Sequence, residues 1–191
     1  MQNRIAMGQH SVIDRIVGVL TLKAPIYREI ADDETATSQA AAIVVVMAVL
    51  TAAIGAALVG AFGSALPQGF TAAATSPVNF FIRTVISNIL NWLIGAWVIA
   101  FVSTTFFGGK TNMWEMARVF GYTQIFTIIA VIPCLGWIVG IILSLIGAVI
   151  GIREASEFDT TKAILTAVVA FIAVLIVGLI IGTLLGLVGL S

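Results

Sequence analysis

The chain has 191 residues, 60% of them hydrophobic and 9% charged, with nine basic and nine acidic side chains and no net charge. An ordinary soluble domain carries roughly 25% charged residues, so this chain cannot cover its own surface in water and takes the bilayer as its solvent. Its length is that of one domain. Its single Cys134 excludes an internal disulfide or a cysteine-based metal site, and no basic patch suited to nucleic acid is present.

The N-terminal stretch does not read as a signal peptide, because the first long apolar run starts only near Ala40. Gln2 excludes N-terminal myristoylation. Residues 1–38 form instead a cytoplasmic amphipathic region. Ser11 is placed to cap a helix starting at Val12, with Ile13, Ile16, Val17 and Leu20 on one face and Asp14, Arg15 and Lys23 flanking it. Pro25 suits the first turn of a second short helix carrying Ile26, Tyr27 and Ile30. Neither piece is long enough to span. They are expected to lie on the inner leaflet or on the ends of the spans. His10 and the run Asp32-Asp33-Glu34 read as solvated.

A span needs about 20 mostly apolar residues. Five segments qualify: 40–62, 79–107, 113–133, 135–152 and 163–189. The fold class is therefore all-α, a polytopic transmembrane helical bundle of about five spans over residues 39–190. The third and fourth segments, separated only by Pro133-Cys134, also fit a re-entrant hairpin, which would reduce the count to four. Arg4, Arg15, Lys23 and Arg28 precede the first span, Lys110 and Arg118 follow the second, and Arg153 and Lys162 follow the fourth. With five spans these all fall on one side, which the positive-inside rule assigns to the cytoplasm. The N-terminus is then cytoplasmic and the C-terminus outside. The protein is expected to be integral and multi-pass, in the inner or plasma membrane if the cell is prokaryotic.

Small residues recur at helical spacing in three spans: Ala48, Ala52, Ala56 and Gly60; Gly136, Gly140, Ser144, Gly147 and Gly151; Gly178, Gly182 and Gly186. Such ridges let helices approach closely. They serve packing within the chain or a further partner, including another copy. The second span carries Arg83, Thr84, Ser87, Asn88 and Asn91 on one broad face. Polar groups at membrane depth need partners, so this face is expected to look inward, toward Tyr122, Thr123, Gln124 and Thr127. Arg83, Ser87, Asn88, Asn91 and Gln124 thus form a candidate intramembrane site. Arg83 either snorkels to the interface or meets a ligand or lipid headgroup.

The two basic loops have local logic. Asn112 caps a helix with Glu115 returning the bond, and Trp114 suits the headgroup level. Asp159 or Thr160 caps the last span, and Arg153 suits the negative end of the fourth. Lys110, Trp114, Glu115, Arg118, Arg153, Glu154, Asp159 and Lys162 serve as caps and anchors, or together as a cytoplasmic docking face. No nucleophile–base arrangement, metal-ligand spacing or phosphate-cradling loop is visible, so neither catalysis nor a cofactor is expected.

Several short motifs recur in a telling order. Ile26-Tyr27-Arg28-Glu29-Ile30 follows a proline, and Gln39-Ala40 opens the first span. Gly109-Lys110, Glu115-x-x-Arg118 and Gly121-Tyr122 come next, then Ile132-Pro133-Cys134-Leu135-Gly136. Gly151-Ile152-Arg153-Glu154-Ala155 leads into Thr160-Thr161-Lys162-Ala163. Over about residues 20–190 this resembles the Yip1-domain family of small five-span membrane proteins. The resemblance implies five spans, a cytoplasmic N-terminus and a non-enzymatic role; eukaryotic members of that family bind prenylated Rab-type GTPases, but this chain lacks their long N-terminal extension. The expected function is a membrane scaffold or adaptor that binds membrane or cytoplasmic proteins, in contact with lipids. The alternative is a transport or lipid-handling component using the polar face of the second span.

Overall fold

The computed structural model describes residues 10–62, 76–131 and 136–187. The 63–75 loop, Arg4, the Pro133-Cys134 turn, residues 188–191 and the packing of Gly178, Gly182 and Gly186 lie outside the described residues and surroundings. All described elements are helical: α1 (Val12–Leu20), α2 (Ala24–Asp32), α3 (Ala36–Phe62), α4 (Pro77–Phe107), α5 (Met113–Thr123) continuing as a 3₁₀ run (Gln124–Val131), α6 (Gly136–Ser156) and α7 (Thr160–Leu187).

The helix starts follow from local chemistry. The Ser11 hydroxyl accepts from Asp14 N at 3.2 Å while Asp14 Oδ2 accepts from Ser11 N at 3.2 Å, a capping box that satisfies two open donors. Asn112 and Glu115 form the same box on α5, with Asn112 Oδ1 accepting from Trp114 N at 2.9 Å and from Glu115 N at 3.0 Å. Ser76 caps α4, and Gly108 ends it at φ 70°, the left-handed geometry that glycine adopts without strain. Asp159 Oδ1 accepts from Lys162 N at 2.9 Å and so closes the start of α7.

Three helices are long and apolar enough to cross a membrane, over Ala36–Ala61, Pro77–Phe107 and Ile138–Ser156. α7 is a fourth apolar helix, 28 residues long. The stretch Met113–Val131 reaches membrane length differently. Its 11 residues of α-helix and eight of 3₁₀ rise together about 33 Å at 1.5 and 2.0 Å per residue. α6, at 21 residues and about 31 Å, has the length of a crossing helix rather than of a short re-entrant arm.

The tightest packing sits at the charged end of the bundle. Val19, Ile26, Tyr27 and Ile30 of the α1–α2 hairpin are buried with Ala40, Val44, Trp92, Met116, Val119, Tyr122, Phe126 and Ile152. Small residues permit this. A methyl added at Gly121 would stand 2.6 Å from Ala40 Cβ, and one at Gly151 2.5 Å from Val119 Cγ1. In α3 the buried small stripe runs Ala36, Ala40, Ala48 and Ala52, while Ala56 is half-buried and Gly60 exposed.

The hairpin docks on the bundle with an unexpected face inward. Ile16 and Leu20 pack against the core, but Ile13 is 71% exposed and Val17 49%, whereas Arg15 is 1% exposed. α1 thus buries Arg15 together with Gly18 and Val19, and leaves part of its apolar face, Ile13 and Val17, outward.

Candidate interaction face at the charged end

Arg15 is the hub of this end. Its Nε donates to Glu29 Oε1 at 3.0 Å, Nη2 to Asp33 Oδ2 at 2.5 Å, and Nη1 to Gln39 Oε1 at 3.2 Å. The Tyr122 hydroxyl donates to the same Gln39 oxygen. One guanidinium therefore ties α1 to α2 and α3, and through Gln39 to α5. Burying a cation is costly unless it is paired and its donors are used, and here the fork meets two carboxylates and an amide oxygen. Burial works against the Arg15 charge, but Asp33, Tyr122 and Glu29 outweigh it and raise its pKa further. Burial would likewise raise Glu29 and Asp33. Bonds from His10 and Arg15 to Glu29, and from Thr35 and Arg15 to Asp33, override that and hold both carboxyls below their ordinary range. His10 joins directly, its Nδ1 2.6 Å from Glu29 Oε2.

Two further arginines cap helix C-termini, whose last carbonyls are otherwise open. Arg118, 6% exposed, donates to Ala31 O from Nε at 3.1 Å and Nη2 at 2.5 Å, and to Thr37 Oγ1 at 3.2 Å. Arg28 donates to Glu154 O at 2.8 Å, to Asp32 at 2.8 Å and to Glu157 at 3.0 Å. Glu157 also faces Lys110 at 3.4 Å. The bonds from Lys110 and Arg28 hold its carboxyl low. Ser103 donates to the Ser156 hydroxyl at 2.7 Å, and Lys110 N donates to Ser156 O at 3.1 Å, so the 108–112 loop is stitched to the end of α6.

The sequence-predicted docking residues divide accordingly. Arg118 is not on the exposed face; it is a buried clamp. Glu115 is used by the Asn112 cap, Arg153 pairs with its neighbour Glu154 at 2.7 Å, and Asp159 caps α7. What remains presented outward is Trp114, 54% exposed, with Lys110 and Lys162, the latter over the Phe158 ring at 5.7 Å. Arg15, Arg28, Lys110, Arg118, Arg153 and Lys162 all gather at this one end.

The predicted intramembrane site does not converge. Asn88 donates to Thr84 O at 2.8 Å, a bond within its own helix. Arg83, Ser87 and Asn91 are exposed rather than turned inward. Gln124 is half-buried at the C-terminus of α5, and no bond joins it to Asn88 or Asn91 among the described residues. A cavity of about 550 Å³ is lined by Ile99, Phe120, Val149, Ile164, Phe171 and other apolar side chains. No cluster of metal-ligating side chains occurs among the described residues.

Sequence reasoning missed Arg15. The signal available was the spacing of Glu29 and Asp33, one helical turn apart and so on one face of α2, facing a cation that had to come from elsewhere. The family model described as the Yip1 domain matches residues 17–182. No curated protein and no solved structure matches the chain.

Proposed function

Since that match covers most of its length, the chain belongs to the Yip1-domain family, and we propose that this integral membrane protein is a non-enzymatic scaffold or adaptor whose charged end faces the cytoplasm and binds partner proteins. The observation that carries the reading is the contrast at that end between locked and offered side chains. Arg15, Arg118 and Arg28 spend their donors inside the fold, so the platform is stiff. Trp114, Lys110 and Lys162 stand on it exposed. Tryptophan is enriched among the residues that anchor protein interfaces. The orientation rests on the gathering of the basic residues at this end.

A photo-crosslinking phenylalanine analogue placed at Trp114 tests the reading. Discrete protein adducts in native membranes, weakened by Lys110→Glu, are expected. Adducts to lipid alone would sink it. With Cys134 replaced, Lys110→Cys should resist an impermeant maleimide in intact cells and react in inverted vesicles; the opposite result would reverse the orientation. The alternative of a polar transport path along the second span draws no comparable support, because Asn88 serves its own helix.

A further inference from the structure

α4 holds two Asn/Trp pairs, and they are treated oppositely. The inward pair is satisfied: Asn88 donates to Thr84 O, and Trp92 Nε1 donates to Ala117 O at 2.8 Å. The outward pair, Asn91 and Trp97, is not. Among the described residues nothing bonds the Asn91 carboxamide or the Trp97 indole N–H, nor does the Ser87 hydroxyl find a partner. At 100° per residue Ser87, Leu90, Asn91, Trp97 and Phe101 fall within an arc of about 120°. All are exposed, Leu90 at 51%, Trp97 at 53% and Phe101 at 48%. Trp97 and Phe101 stack with centroids 5.6 Å apart.

Depth makes this arrangement costly. α4 ends at Phe107. With the hydrocarbon layer of about 30 Å beginning at Phe107, Trp97 lies about 15 Å in, at its middle, and Asn91 about 24 Å in, about 6 Å short of its far edge. Acyl chains offer no hydrogen-bond partner. Tryptophan ordinarily occupies the interfaces, not the midplane. An exposed carboxamide at such depth drives helices together, because a neighbouring helix can satisfy it.

We propose that this face of α4 is the interface of a parallel homodimer in the membrane, with Asn91 bonding Asn91 of a second copy. All copies share one orientation in the bilayer, so their two-fold axis stands along its normal, and Asn91 meets its own counterpart where the helices cross. A carboxamide is both donor and acceptor and is therefore complementary to itself. The stacked aromatic pair supplies the contact area on the side of the charged end. Arg83 lies about 12 Å from Asn91 along the axis, where crossed helices diverge, and it has an interaction within its own chain.

Two measurements in liposomes test this, both with Cys134 replaced by serine. Oxidation should cross-link Leu90→Cys, which leaves Asn91 in place, into a dimer. Val139→Cys, on the outward face of α6 at 43% exposure, should stay monomeric. In parallel, single-molecule photobleaching against dilution in lipid should show Asn91→Leu raising the dimer dissociation constant by about 3- to 30-fold, the range for an interhelical hydrogen bond, with Asn91→Gln retaining most of the affinity. Asn91 is exposed, so Asn91→Leu should leave the melting temperature of the monomer at or above that of wild type. A wild-type chain that stays monomeric at every dilution would overturn the proposal. So would a dimer indifferent to Asn91→Leu, or an oxidised Leu90→Cys chain that stays monomeric at protein densities where the wild type is dimeric.

Discussion

Arg15 and Asn91 are both polar residues set in apolar helices, yet one is 1% exposed with three bonded partners and the other is exposed with none among the described residues. The difference lies in what surrounds them. At the charged end, four chain segments converge and bring carboxylates, carbonyls and amides within reach of each guanidinium. On the outer face of α4, no described residue of the chain brings a partner to Asn91. A polar group in a membrane protein thus carries information chiefly through where its partners come from.

Removing Arg15 should have the largest effect. Arg15→Met leaves Glu29 and Asp33 without their cation in a partly dry site, and breaking one side of such a pair costs about 3 kcal/mol. Hydrogen exchange should show the α1–α2 hairpin losing protection while α4 and α6 keep theirs. If the hairpin stays protected, the network is decoration and the comparison collapses. Gly121→Leu comes next, because its Cβ would already stand 3.2 Å from the backbone of Ala40. Overpacking of this kind costs about 2 kcal/mol, read as a lower melting temperature in detergent.

Acid should weaken the same hairpin. Glu29 and Asp33 have lowered pKa values in the fold. Their stabilisation is therefore complete above the ordinary carboxylate pKa of about 4 and is lost as pH falls through the lower folded values. Hairpin protection should be flat from about pH 7 to 5 and decline below about pH 4; a decline already complete above about pH 5 would overturn the assignment to these two carboxylates.

Thr166 sharpens the comparison in the other direction. Among the buried side-chain nitrogen and oxygen atoms of the described residues, its Oγ1 alone lacks a partner. Thr166→Val should stabilise by about 1 kcal/mol, and a loss of stability would reveal a partner for the hydroxyl. The smallest effect is expected from Lys110→Ala. Its side chain is 80% exposed and pairs with Glu157 in open solvent, so the melting temperature should not move measurably.

The sequence showed most plainly what is decided locally. The Ser11 and Asn112 caps, the start of α2 near Pro25 and the apolar runs all depend on residues within a few positions. The orientation of α1 does not. Ile13, Ile16, Val17 and Leu20 make a clean apolar face, and nothing in α1 alone says that Ile13 and Val17 end up outside. Glu29, Asp33 and Gln39 decide it, from two other helices. Arg118 illustrates the same limit. Near a loop it looks available for partners, but the open carbonyl of Ala31, 87 positions away, claims it. The inward turn expected of Ser87 and Asn91 assumed that their partners lie in the same chain.

The 3₁₀ run Gln124–Val131 bears on which membranes suit the protein. Those eight residues cover about 16 Å, and rewound as α-helix they would cover about 12 Å. The element that continues α5 thus holds about 4 Å of adjustable length, comparable to the difference in thickness between thin and thick cellular bilayers. Rewinding would shorten this one element without tilting its neighbours.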